Sequence, residues 1–416
     1  MRVIVANYRY YIAGGPEKYM FKFMDAAKKR GIEVIPFSVQ NPKNEETEYS
    51  NYFAKPRAKQ VMYADTKKTL SNYWGMLRAT VWNFDAEKRL RKLIRDTKPD
   101  VVYILHQINH LSPSIIRAAK KENVRVVHRI SDFFMFCAKY DFLCGDEICE
   151  ACINGDYSKA ITNKCVKNSV IGTKLRVLAM KLYNKLDIFS EVDHFVATCQ
   201  FSKNKLIEGG VCEDKITCIP TFIDANAINP CYEPEKYFLF LGRMAKQKGT
   251  IYAIEAMKSL QDTDFVLKIT GSITDAEEEQ KIWKFIVDNK LEDKVIFTGF
   301  VHGQELENLI SKATCIVCPA IWYENMPNTV IEAYAYGKPV IASRLGSFPN
   351  IVDDGVTGFL FETKNSLDLA DKMKRFCDDL DLSINMGQKA RKKCETEFSE
   401  EMHMKKLIEV LQDESY

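Results

Sequence analysis

Short runs of continuous apolar residues alternate along this chain with longer stretches whose apolar positions recur every three to four residues. The first kind reads as buried strands, the second as helices packed on them. A strand over Arg2–Asn7 begins the series, and a helix opened by Gly14-Gly15-Pro16, running through Lys18–Arg30, closes at Gly31. Strands follow at Ile32–Ser38, Asp100–Leu105, Val124–Arg129, His194–Thr198 and Ile216–Pro220, with helices at Asp85–Thr97, Pro113–Lys121 and Ser202–Glu208 between them. Pro230 and Pro234 punctuate a linker, and the alternation then restarts. Its second run has strands at Tyr237–Leu241, Phe265–Thr270, Val295–Thr298 and Cys315–Cys318, with helices at Thr250–Leu260, Glu277–Asn289 and Glu305–Ser311. A helical region over Ser366–Asp413 ends the chain. Repeated strand–helix alternation predicts an α/β protein with parallel sheets. At 416 residues the chain exceeds one ordinary core. Two doubly wound domains meeting at a cleft are expected, over residues 1–222 and 236–399.

Two stretches break the pattern. Residues from about Gln40 to Tyr73 are polar, with scattered Tyr and Lys, and read as a long loop. Around Thr173–Phe189 a basic helix carries Leu175, Leu178, Leu182, Leu186 and Phe189 on one face and Lys174, Lys181 and Lys185 in a stripe beside it. Such a helix either packs its leucines inward with a solvated basic edge or rests on a membrane surface.

Composition narrows the class. Hydrophobic residues at 46% and charged residues at 28% describe a soluble globular protein, and a net charge of +3 gives no reason to expect a nucleic-acid partner. No run of eighteen apolar residues could span a bilayer. The opening Met-Arg-Val-Ile-Val-Ala-Asn reads as a strand, not a signal peptide. Thirteen cysteines, an odd number, imply a reducing, cytoplasmic setting. Four of them, Cys137, Cys149, Cys152 and Cys165, form C-x11-C-x2-C-x12-C with Cys144 spare. This spacing is compatible with a structural zinc site and equally with free thiols.

The most informative segment is Glu324-Asn-Met-Pro-Asn-Thr-Val-Ile-Glu332-Ala-Tyr-Ala-Tyr-Gly-Lys-Pro. Pro327 suits a first helical position, Asn328 and Thr329 suit a helix start, and Gly337 suits a left-handed cap. Glu324 then lies on the loop before a helix and Glu332 on its second turn. Eight helical steps would span about 12 Å, close to the reach from a nucleotide's ribose to the sugar beyond its diphosphate. The helix start between them attracts anions. Upstream, Leu241-Gly242-Arg243 ends a strand and Lys248-Gly249 precedes the next helix, so two cations share one short loop and can aim at a diphosphate.

The E-x7-E segment, the Gly-Arg-x4-Lys-Gly loop and the Gly14-Gly15 turn resemble retaining glycosyltransferases of family 4, which have the GT-B fold, and the resemblance runs along nearly the whole chain. It implies two Rossmann-like domains facing a central cleft, with a C-terminal helix at about 400–416 packing back on the first domain. It implies a retaining, hexosyltransferase-type enzyme that takes a UDP- or GDP-sugar and extends a polysaccharide or lipid-linked oligosaccharide at the inner face of the cytoplasmic membrane. Glu332 would bind ribose hydroxyls, and Glu324 would contact the transferring sugar. Arg243 and Lys248 would hold phosphates, and Phe300 would lie by the base. Gly14 and Gly15 would approach the donor or acceptor, and the amides of Met326, Asn328 and Thr329 would face sugar or phosphate. No cofactor is required for catalysis, because Arg243, Lys248 and the helix dipole already neutralise phosphate.

One departure stands out. The family carries a His-Asp pair after the fourth strand, and here Ser131-Asp132 occupies those positions. His106 and His110, at a strand's carboxyl end, are the acceptor-side candidates, whereas His128 reads as a buried, hydrogen-bonded core residue. Tyr49, Tyr52, Phe53, Tyr63, Tyr73 and Trp74 offer rings for stacking on sugar. The rival readings are a nucleotide-sugar epimerase of the same fold, which would need an added acid network, and a non-catalytic nucleotide-sugar-binding protein, which intact Arg243, Lys248, Glu324 and Glu332 argue against.

Overall fold

A computed structural model describes residues 1–56, 81–273 and 275–413; Tyr63, Tyr73 and Trp74 lie outside them. The chain forms two compact units. Unit 1 comprises Met1–Cys144, Cys149–Ile219 and Met404–Tyr416; unit 2 comprises Gly145–Ile148 and Pro220–His403.

Unit 1 is built on β1 (Arg2–Asn7), β2 (Glu33–Phe37), β3 (Val101–His106), β4 (Arg125–Arg129), β7 (His194–Ala197) and β8 (Ile216–Cys218), in the order β2-β1-β3-β4-β7-β8. Its recorded strand pairs are all parallel. Val3, Ile4, Val5, Val101, Val102 and Ile104 are fully buried. Such continuous apolar strands are what a sheet covered on both faces requires. Helix α1 (Gly15–Lys29) buries Tyr19, Met20, Phe23, Ala26 and Ala27, an i, i+4 spacing with its neighbours that makes one stripe. Between β4 and β7 in sequence the chain also forms a two-stranded hairpin, β5 (Leu143–Cys144) with β6 (Glu147–Ile148).

Unit 2 repeats the plan with β9 (Tyr237–Leu241), β10 (Val266–Thr270), β11 (Val295–Gly299), β12 (Cys315–Cys318), β13 (Val340–Ser343) and β14 (Gly358–Phe361), ordered β11-β10-β9-β12-β13-β14. Apolar cores lie on both sides of this sheet, one around Phe238, Ile254, Leu267 and Phe376 and the other around Leu239, Ile331, Tyr334 and Phe348. β14 carries no alternation and only four residues, so the sequence pattern did not mark it. The C-terminal helical region resolves into Ser366–Asp378, Leu380–Glu397 and Glu400–Gln412. From Met404 the last of these belongs to unit 1, where the Arg125 guanidinium donates to the Val410 carbonyl.

The basic helix, α2 (Val170–Lys185), corrects an expectation. It buries Thr173, Arg176, Val177, Ala179, Met180 and Tyr183, not the leucines. Ile171 and Leu178 are 63% and 56% exposed and Leu186 is exposed as well. Both faces have helical spacing, and the sequence pattern favoured the more apolar one. Val177 and Met180 win the interior because Tyr157, Ala160 and Cys152 give them a surface to fill.

Candidate active site

In unit 2 the strand order reverses between β9 and β12. Open parallel sheets bind ligands at the carboxyl ends of their strands, at such a switch point. Arg243 and Lys248 follow β9, and Glu324 follows β12. The loops that carry them are tied together: the Ile321 amide donates to the Gln247 carbonyl at 3.0 Å. Gly249, at φ +66°, passes so near the Pro319 carbonyl that a Cβ there would stand 1.9 Å from its oxygen. A side chain at 249 would push Lys248 off β12's loop.

Lys248 Nζ lies 2.6 Å from Glu324 Oε1. The Trp322 indole N–H donates to the same oxygen at 2.7 Å, and Lys248 Nζ sits 5.4 Å from the Trp322 ring centre. Both contacts fall on Oε1, leaving Oε2 to meet a ligand. The Ser347 amide donates to the Glu324 backbone carbonyl, which fixes the loop from behind. Trp322 escaped the sequence reading, although its place two residues before Glu324 was visible. Cys318, the last residue of β12, is also close: burial pushes its thiol up to about 12, with Lys248 and Glu324 acting on it in opposite directions.

Helix α3 (Asn328–Ala335) begins one residue later than expected. Pro327 is its N-cap, not its first helical residue, because its ψ of 108° is extended and its carbonyl accepts the first-turn bond from the Val330 amide. The amides of Asn328 and Thr329 precede the first helical repeat and have no backbone acceptor. Glu332 is half-buried on the second turn and Gly337 caps the helix at φ +71°. Four of the eight steps from Glu324 are therefore loop, so the 12 Å helical span does not apply. Arg243 is exposed and makes no ion pair among the described residues. Phe300, just beyond β11, is 77% exposed and lies 6.2 Å from the His302 ring.

Unit 1 has its own switch point, between β1 and β3. Tyr8 follows β1, and His106 ends β3. The Tyr8 ring meets His106 edge-on at 4.9 Å and lies parallel to His110 at 5.1 Å. His106 Nε2 is 2.7 Å from Asp132 Oδ2, and the Phe134 amide donates to Oδ1. Burial pushes the Asp132 carboxyl up, but the His106 charge and hydrogen bond with the Phe134 amide outweigh it and hold it below the usual range. Ser131 does not face this cluster alone; its hydroxyl donates to the Leu105 carbonyl, tying β4's end to β3. His128 is buried as expected, but its Nδ1 has no partner, and burial depresses it to about 4. It lines a small cavity of about 10 Å³ with His106, Gln107 and Asp132. At Gly14, φ is extended and a Cβ would meet nothing nearer than Glu17 at 3.5 Å. Packing therefore does not demand that glycine. Gly15 opens α1 beside it.

The five cysteines from 137 to 165 are free and gather in unit 1. Among the described residues no group of three or more His, Cys, Asp or Glu stands ready as a metal-ligand set. None of the described helices is long and apolar enough to cross a membrane.

The paired parallel sheets are those of the GT-B class. Over 99% of both chains the structure is similar to that of Anabaena HepE in complex with UDP and glucose, with a TM-score of 0.69 at 15% identity. Residues 223–393, nearly all of unit 2, match the family described as glycosyl transferases group 1. The chain is 26% identical over 280 residues to the putative glycosyltransferase YtcC of Bacillus subtilis, covering 62% of this chain and 69% of that one. It is 25% identical over 235 residues to the amylovoran biosynthesis glycosyltransferase AmsK of Erwinia amylovora, covering 54% and 57%. The chain has the GT-B fold, and its residues 223–393 are similar to glycosyl transferases group 1.

Proposed function

We propose that the protein transfers a hexose from a UDP- or GDP-sugar to a glycan or lipid-linked oligosaccharide, with retention at the transferred anomeric carbon and without a catalytic cofactor. The carrying observation is the Lys248–Glu324 pair at the unit 2 switch point, beside the free amides of α3. A nucleoside diphosphate suits this arrangement: Arg243 and Lys248 offer charge-assisted bonds worth roughly 1.5–3 kcal/mol each, and the Asn328 and Thr329 amides add the helix dipole. As the sugar–phosphate bond breaks, charge grows on the phosphate, where both cations stabilise it. Glu324 holds Lys248 through Oε1 and presents Oε2 to the sugar, while Glu332 receives the ribose hydroxyls and exposed Phe300 gives the base a ring. In a same-face transfer the departing phosphate accepts the acceptor's proton, so Ser131 in place of a histidine leaves the chemistry intact. The neighbours' names accord with this: HepE was crystallised with UDP and glucose, and AmsK is named for amylovoran biosynthesis.

Thermal unfolding with UDP-, GDP- and ADP-sugars tests the donor. A ligand at a hundred times its dissociation constant should add about 2.7 kcal/mol, for the UDP or GDP series and not for ADP. Proton NMR of the first-formed product then reads the anomeric configuration. No stabilisation by any nucleotide-sugar, or an inverted product, would refute the reading.

The lipid-linked acceptor draws support from α2. Its outward stripe of Ile171, Leu178 and Leu186 runs beside Lys174, Lys181 and Lys185, and the helix has no acidic residue. That combination suits an anionic lipid surface. The protein should sediment with vesicles containing phosphatidylglycerol and not with phosphatidylcholine alone. Leu178→Asp should abolish this without loss of nucleotide binding. Equal sedimentation with both lipids, or none, would exclude it.

A further inference from the structure

Helix α3 carries Glu332 and starts with the Asn328 and Thr329 amides, yet it is only 8 residues long. In so short a helix, whatever fixes the last turn also fixes the first. The closing turn answers the carbonyls nearest it: the Tyr336 amide donates to Glu332 and Ala333, Lys338 to Ala333 and Gly337 to Tyr334. The Ala335 carbonyl belongs to the group a helix end leaves over. It accepts from a side chain, the guanidinium of Arg391.

Arg391 belongs to α4 (Leu380–Glu397), and its neighbours on that helix meet α3 too. Gly387, one turn earlier, passes so close that a Cβ there would stand 2.1 Å from the Gly337 carbonyl oxygen. Cys394, one turn later, donates its thiol hydrogen to the Ile331 carbonyl at 3.9 Å. Residues three and four apart share a helical face, so one face of α4 lies against α3 from Ile331 to Gly337. A second segment holds the same cap. The Cys231 amide donates to the Tyr336 carbonyl at 3.1 Å, and a Cβ on Gly337 would stand 2.7 Å from the Tyr232 ring.

Arg391 joins that segment to α3. Its Nη1 donates to the Ile228 carbonyl at 2.8 Å as well as to Ala335, and its Nη2 donates to the Ala225 carbonyl at 2.7 Å. Its Nε pairs with Glu395 Oε1 at 2.5 Å. All three nitrogens of the fork are used, as a buried guanidinium requires. A planar fork can hold carbonyls of two segments at fixed angles, whereas a lysine ammonium is a single point charge.

We propose that Arg391 is a positioning residue for donor binding. It locks the last turn of α3 to the Ala225–Ile228 segment and so holds Glu332 where the ribose hydroxyls meet it. It acts through Glu332, not by contact with the ligand. The inference rests on the placing of the ribose at Glu332 and adds the part of unit 2 that keeps that carboxylate in place.

Calorimetry of the full chain with UDP and GDP identifies the nucleotide that wild type binds. Arg391→Lys should weaken that nucleotide about tenfold, the worth of one hydrogen bond to a charged group. Amide exchange across residues 328–337 should quicken in this variant while that of β13 stays slow. Glu395→Gln breaks the ion pair and keeps the carbonyl bonds, so it should change affinity by no more than about twofold. In a Glu332→Gln background, Arg391→Lys should cost much less than it does alone, because both act on one contact. Wild type gives a reading that needs no variant to fold. Bound nucleotide should slow exchange of the Cys231 amide as well as of residues 328–337, since coupling between two places is reciprocal. Undiminished affinity in Arg391→Lys, an equal loss in Glu395→Gln, additive losses with Glu332→Gln, or no protection at Cys231 would each overturn the proposal and leave the donor reading standing. A wild type that binds neither nucleotide would refute the donor reading and this inference with it.

Discussion

The two units present different chemistry at the same topological place. Each is a six-stranded parallel sheet, and each has groups at the carboxyl ends of the strands where the order reverses. In unit 2 these are Lys248 and Glu324, with exposed Arg243 close by on the same loop and a helix start beyond. In unit 1 they are Tyr8, His106 and His110 in ring contact, backed by Asp132. Fixed cations with free amides select a phosphate. Flat rings with a few hydrogen-bonding atoms select a neutral, many-hydroxyl surface such as a sugar. The fold supplies the position, and the side chains decide what it binds.

The largest effect should come from removing the cations of unit 2. Arg243→Ala with Lys248→Ala should lower kcat/KM by about a hundredfold or more, from two charge-assisted bonds of roughly 1.5–3 kcal/mol each, with circular dichroism unchanged. Near-normal turnover would take both residues out of the site. A second effect belongs to unit 1 alone. His128 is depressed to about 4 chiefly by burial; Asp132 raises it and His106 lowers it. Between about pH 6.5 and 4 the unfolded chain binds a proton there that the native state refuses, so native stability falls as pH falls through that window. The full loss is about 3 kcal/mol. Thermal unfolding of His128→Gln against wild type across this range should show a shallower slope; an identical slope would mean that His128 is not the buried neutral group.

The glutamates should differ in kind. Glu324→Gln should lower kcat by about tenfold, since Oε2 meets charge that grows in the transition state. Glu332→Gln should raise the donor KM and weaken free nucleotide in calorimetry. The reverse pattern would turn the donor end for end. The smallest effect should be in unit 1: Asp132→Asn should raise the acceptor KM about threefold to tenfold by loosening His106, with donor affinity unchanged. A loss of donor affinity would erase the contrast between the units.

Much of this was legible before any coordinates. Tyr237–Leu241 and Cys315–Cys318 carry enough continuous apolar residues between polar punctuation to be assigned to the residue. Lys248 and Glu324 were singled out by spacing, and the structure brings their side chains within 2.6 Å of each other. The Gly358–Phe361 strand did not, since four apolar residues behind a glycine have no period. Nor did the hairpin at Leu143–Ile148, which is two residues wide on each side.

What the sequence determined by itself was local: period, punctuation and the residue types at strand ends. Only the tertiary structure decided which of two helical faces α2 buries, because its leucines and its Val177–Met180–Tyr183 face are equally periodic and burial depends on what lies opposite. Only the tertiary structure joined Lys248 to Glu324 across 76 residues and His106 to Asp132 across 26. A hydrogen bond depends on distance in space, and the sheet order that sets those distances is a property of the whole fold.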